Sequence, residues 1–133
     1  MPGGGPHGVG SGQVTDDGEM SMCMMWGLNK NQKEHGVLNL DLNYICEYYR
    51  DWILSAPFDI GQTTRDALGA LVLPENNSNL VETAKQRAND YNYDSCSNSC
   101  IMRSTPMAIW AANLTDDDFK KACRSEVELT HTN

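Results

Sequence analysis

No apolar run in the 133 residues approaches the length of a membrane span, so the chain is not expected to cross a bilayer. Its Gly-rich start, MPGGGPHGVGSG, lacks the apolar core that an export signal carries. Basic charge is scarce. Ten Lys and Arg stand against 18 Asp and Glu, a formal net charge of -8, which argues against a DNA or RNA footprint and tolerates cations. The five cysteines are an odd number, and Cys96 and Cys100 have no second cysteine pair or nearby histidine to complete a zinc set. A reduced, cytoplasmic protein is expected. Nothing alternates like a strand over a useful length, and no motif recurs at a fixed period, so the expected fold class is all-α without a solenoid repeat. At this length one modest core is expected rather than two.

The most informative stretch is Gln13 to Leu28, QVTDDGEMSMCMMWGL, where adjacent carboxylates precede a strongly apolar run. Asp16 is expected to cap a helix with Glu19 three positions on, and Met20, Cys23, Met24 and Leu28 recur at helical spacing. Because Met22, Met25 and Trp26 fill the other faces, this helix is expected to be buried almost all round. Thr15, Asp16 and Asp17 offer two carboxylates and a hydroxyl from consecutive positions, the hard oxygen donors that a divalent cation prefers. The same residues are also ordinary helix starters, since acid in a first turn suits the helix dipole.

Residues 1–12 lack periodicity and are expected to form a loop or leader, with residues 13–133 forming a partial helical domain. Gly36 should end the first helix, after a polar stretch from Asn29 that begins the connection. Leu42, Ile45, Cys46, Tyr49, Trp52 and Ile53 then mark an amphipathic helix, capped by Asp41 or Asn39 and closed by Pro57. Asp59 falls in the turn before a short helix, where Thr63 and Asp66 have capping-box spacing and Pro74 is the stop. Asn79 with Glu82, Thr105 before Pro106, and Thr115 with Asp118 open three more helices, the last with Phe119, Ala122, Cys123 and Val127 inward.

Three segments, in order, resemble one family. GGGPHGVGSGQVTDDGEMSM resembles the Gly-rich approach and Thr-Asp-Asp signature of the ADP-ribosylglycohydrolases, PFDIGQTTRDAL looks like their second signature, and SNSCIMRSTPMAI is similar to their third. The resemblance implies an all-α, globular multi-helix bundle around two Mg²⁺ or Mn²⁺ ions. Its activity would be hydrolysis of the bond between ADP-ribose and a protein side chain or small acceptor. On that resemblance Thr15, Asp16 and Asp17 match metal ligands, and Asp59 with Asp17 would serve the chemistry. Asp59 and Gly61 match a ribose- and phosphate-contacting loop. Asn98, Ser99, Met102 and Arg103 fall on the loop lining the ADP-ribose cleft, and Arg103 equally fits a structural anchor.

The chain also departs from the pattern. Gly18 stands where the family has a second threonine, and Ser97, Ser99 and Cys100 stand where the third signature has glycines and a serine, so added side chains narrow the space for a phosphate. The family's opening acidic helix and late Asp-x-Asp-Thr motif have no counterpart, although Leu129-Thr130-His131 is similar to a Leu-Thr-His helix start. The bundle is therefore expected to be incomplete at both ends, with an incomplete metal-ligand set that a separate chain would complete. The resemblance also leaves room for a non-catalytic descendant that binds ADP-ribose or a related nucleotide, or serves only as a helical scaffold.

Overall fold

The computed structural model describes residues 3–5, 7–36, 39–76 and 78–132. Among them are six α-helices and no strand: α1 (Asp16–His35), α2 (Leu42–Leu54), α3 (Gln62–Leu68), α4 (Leu80–Tyr91), α5 (Thr105–Trp110) and α6 (Asp116–Val127). Two 3₁₀ turns, Gly69–Val72 and Pro74–Asn76, join α3 to α4. The all-α expectation holds. In the Gly-rich start, Gly4 and Val9 exchange two backbone hydrogen bonds of 2.8 and 3.1 Å, closing a small loop with Gly5 and Gly8 at positive φ.

The first helix begins at the residue expected to cap it, so the cap lies one residue earlier. Thr15 is the extended N-cap residue and Asp16 already lies in the helix. Glu19 does not complete a capping box, because its carboxylate instead accepts a 2.7 Å hydrogen bond from Trp52 Nε1 on α2. The helix also continues past Asn29 to His35 before Gly36, at φ 78°, turns the chain. Asn31 explains why this polar extension is kept: its buried amide donates to the Asn39 carbonyl and its Oδ1 accepts from the Asp41 N–H, both at 2.9 Å. Asp41 then caps α2 through the Asn43 N–H, as expected.

Helix α1 packs along α2 and against α5. Gly27 sets the approach, since a Cβ there would lie 2.7 Å from Ile45 Cα and 2.9 Å from its backbone N. Met20, Cys23, Met24 and Leu28 enter one core with Ile45, Cys46, Tyr49 and Trp52 of α2, Ala67 and Leu68 of α3, and Ala84 and Ala88 of α4. Burial all round does not hold. Met22, Met25 and Trp26 remain 42%, 48% and 42% exposed, because two neighbouring helices leave an arc of α1 uncovered. Grooves flank that arc. One of about 520 Å³ is lined by Met25, Leu28, Pro106 and Ile109, and one of about 440 Å³ by Met22, Trp26, Tyr48 and Trp52.

Two further helix starts differ from expectation. Gly61 rather than Thr63 is the N-cap residue of α3, and Thr63 Oγ1 lies 3.0 Å from Ser95 Oγ. Asn79 precedes α4 without a side-chain cap bond. Thr115 caps α6 as its spacing predicts, accepting from the Asp118 N–H and donating to the Asp118 carboxylate. Along α6 the surprise is Glu126, which is only 2% exposed.

Candidate functional site

The start of α1 and the turn before α3 bring the acidic residues together. Asp16 lies close enough to Asp59 and Asp17 for both charges to act on it, and the backbone N–H groups of Asp17 and Gly61 face its carboxylate. Partial burial is the largest influence and raises the Asp16 pKa above the ordinary value of 3.8. The Asp59 and Asp17 charges push the same way, against the two backbone hydrogen bonds. Thr15 Oγ1 donates to Asp17 Oδ2 at 3.1 Å, and Asp59 Oδ2 is 3.5 Å from Nε2 of His7, whose ring also stands edge-on to Phe58. Gly18 keeps this helix start compact, because a Cβ would meet the Val14 side chain at 2.9 Å.

Polar links carry the third segment to the same end of the molecule. The Ser21 hydroxyl lies 2.8 Å from the Asp17 carbonyl and 3.2 Å from that of Met102, so the 97–103 loop is joined to the first turns of α1. Across from it, Thr63 meets Ser95, whose Oγ accepts from the Ser97 N–H. The buried Asn92 amide donates to the carbonyls of Thr63, at 2.8 Å, and Thr130, at 3.0 Å, tying α3 to the end of the chain. Asn98 is exposed, and its carbonyl accepts from the Ile101 N–H in the loop's turn. Ser99 is half-buried, with its N–H on Ser97 Oγ at 3.2 Å.

Arg103, at the end of this loop, lies away from the surface. It is fully buried, donating from Nε to Glu126 Oε1 at 2.8 Å and from Nη2 to Thr130 Oγ1 at 2.6 Å, while Nη1 is a buried donor without a partner. Tyr49 donates to the same Glu126 oxygen at 3.0 Å, and burial raises the Tyr49 pKa well above its usual value. Of the two roles open to Arg103, this geometry describes the structural anchor. Met102 packs against the core and contributes its backbone carbonyl. Sequence reasoning missed Asn92, Glu126, Thr130 and His131 as residues that hold the loop. Nothing in the spacing marks Glu126 or Asn92, whose partners lie on other elements.

The donor chemistry at Thr15, Asp16, Asp17 and Asp59 suits a hard divalent cation: clustered oxygens whose repulsion a cation would relieve. Their number does not close a coordination shell. Among the described residues no group of three or more His, Cys, Asp or Glu side chains is arranged to hold a metal ion. The five cysteines are free. No helix among the described residues is long and apolar enough to cross a membrane.

An all-α protein with an acidic lip where two helix starts meet a polar loop is the class that these elements define. The family model of the ADP-ribosylglycohydrolases matches residues 1–133, and the chain belongs to that family. A protein of Acanthamoeba polyphaga mimivirus named as an ADP-ribosyl glycohydrolase is 32% identical over 134 residues, covering 97% of this chain and 36% of the viral protein. The ADP-ribosyl-[dinitrogen reductase] glycohydrolase of Rhodospirillum rubrum is 40% identical over 65 residues, 49% of this chain and 20% of the bacterial protein. The chain thus spans about a third of the length of the first relative.

Proposed function

We propose that this chain forms the acidic and nucleotide-facing part of an enzyme that hydrolyses the glycosidic bond between ADP-ribose and a protein side chain or small acceptor. Support comes from the convergence of Asp16, Asp17, Asp59 and Gly61, which belong to segments far apart in sequence and meet at one rim. Thr15, Asp16 and Asp17 would hold Mg²⁺ or Mn²⁺, with water or a further polypeptide completing the oxygen set. When bound, such ions lower the pKa of a water and orient ribose hydroxyls.

The chain's own residues do the rest. In this reading Asp59 would take a proton from the attacking water, with Asp17 at the same rim. Gly61, whose backbone N–H faces the Asp16 carboxylate, would line the ribose at the start of α3, and Asn98, Ser99 and the Met102 segment would form the wall along which ADP-ribose lies. Cations at the rim also reconcile a chain of net charge -8 with a diphosphate ligand.

The test is cleavage of ADP-ribosyl-arginine in Mn²⁺, with Mn²⁺ and ADP-ribose titrations of the same samples. Asp16→Ala and Asp17→Ala should abolish the Mn²⁺ signal and turnover, and Asp59→Asn should reduce turnover by roughly 10²- to 10⁴-fold. Turnover unchanged in the Asp16 and Asp17 variants would sink the metal-holding role assigned to these carboxylates. ADP-ribose binding without any turnover would favour the non-catalytic descendant, and two tight Mn²⁺ sites on the chain alone would overturn the incomplete ligand set.

A further inference from the structure

A line of hydrogen bonds runs from the buried ion pair to the 97–103 loop. Arg103 carries only donors, so its Nη2, 2.6 Å from Thr130 Oγ1, makes that oxygen an acceptor. The Thr130 hydroxyl hydrogen is then directed to His131 Nδ1, 2.8 Å away. A neutral imidazole that accepts at Nδ1 carries its hydrogen on Nε2. That nitrogen lies 3.4 Å from Ser99 Oγ, to which the Ser97 hydroxyl also donates at 3.0 Å. With Ser97 and His131 both donating to it, the half-buried Ser99 keeps its own O–H for a further acceptor.

We propose that buried Arg103, acting through Thr130, fixes His131 as the Nε2–H tautomer and thereby holds the Ser99 hydroxyl as a donor to an acceptor oxygen of the bound nucleotide. The proposal rests on the reading of the 97–103 loop as an ADP-ribose wall. Thr130 and His131 are positioning residues in it, and Ser99 is the group that touches ligand. Two features keep the line one-directional. Arg103 and Glu126 are 0% and 2% exposed, so the guanidinium stays paired. Burial, followed by the Arg103 charge, lowers the His131 pKa below its usual 6.5, against a hydrogen bond to the Ser97 backbone. The imidazole is therefore neutral at neutral pH, which the tautomer argument requires.

Long-range ¹H–¹⁵N correlation spectra of the ¹⁵N-labelled chain read histidine tautomers directly, and His7→Gln and His35→Gln variants assign the remaining signal to His131. The expected spectrum at neutral pH is a neutral Nε2–H ring. Thr130→Val should convert it to a mixture of tautomers and weaken ADP-ribose binding by roughly tenfold, the loss of about one directed hydrogen bond. Thr130→Ser should preserve both. Ser99→Ala should weaken binding similarly and add little to Thr130→Val.

An Nδ1–H ring or an imidazolium in the unmodified chain overturns the proposal, as does a spectrum that Thr130→Val leaves unchanged. If Thr130→Val does not fold, the unmodified spectrum and Thr130→Ser still decide. An Nε2–H ring in a chain that binds no ADP-ribose supports the relay and overturns the ligand reading of the loop.

Discussion

Asp16 shows how a residue can be legible by type and misassigned by position. Its sequence context named a helix start with oxygen ligands, and the start is there. Thr15 takes the cap because its extended backbone lets its carbonyl accept the Gly18 and Glu19 N–H groups, leaving Asp16 in the first turn, where it faces Asp59 and Gly61. That meeting had no local signal. It has a pH consequence. A carboxyl whose folded pKa is raised binds its proton more readily in the folded than in the unfolded chain, so its contribution improves as pH falls through the folded value toward 3.8 and is unfavourable above it. Asp16→Asn keeps an oxygen for the two backbone donors and removes the repulsion. It should therefore raise the melting temperature slightly at pH 7, with the gain shrinking toward pH 4. A lower melting temperature at pH 7 would show that the first-turn charge is worth more to the helix dipole than it costs in repulsion.

At the scale of elements, hydrophobic period was a good guide to which helices exist and a poor one to what covers them. The α2 stripe from Leu42 to Trp52 is buried as its spacing predicts, because α1, α3, α4 and the 69–72 turn surround it. The apolar first half of α1 has fewer neighbours, so Met22, Met25 and Trp26 stay partly in solvent. The α1–α2 contact itself depends on Gly27. Replacing a helical glycine by alanine ordinarily stabilises by about 1 kcal/mol. Here the added methyl would strike the Ile45 backbone, which cannot swing aside as a side chain would. Gly27→Ala should instead destabilise by about 1–3 kcal/mol, read as a lower urea midpoint with an unchanged slope. A neutral or stabilising result would mean the two helices separate more easily than their packing suggests.

Across the whole molecule, Glu126, Tyr49 and Arg103 join α6, α2 and the loop before α5 in one buried cluster. A glutamate on a charged helix reads as solvent-facing, and only the assembled fold reveals its partner; for the same reason Arg103 could not be assigned between cleft and anchor from its motif. Breaking such a pair leaves an uncompensated charge in the interior. Arg103→Met or Glu126→Leu alone should each cost about 3–5 kcal/mol, and the double substitution far less than their sum, as a double-mutant cycle on urea unfolding would measure. Single costs below about 1 kcal/mol would show that water reaches the site.

That cluster and the acidic rim occupy separate environments. Asp16 and Asp59 are half-buried and Asp17 exposed, all three outside the hydrophobic core, whereas Arg103 and Glu126 are fully enclosed. On the proposed hydrolase reading, a lineage could exchange every carboxylate at the rim and inherit an intact skeleton, so relatives that have stopped catalysing would betray themselves at those three positions and not in the Arg103–Glu126 packing.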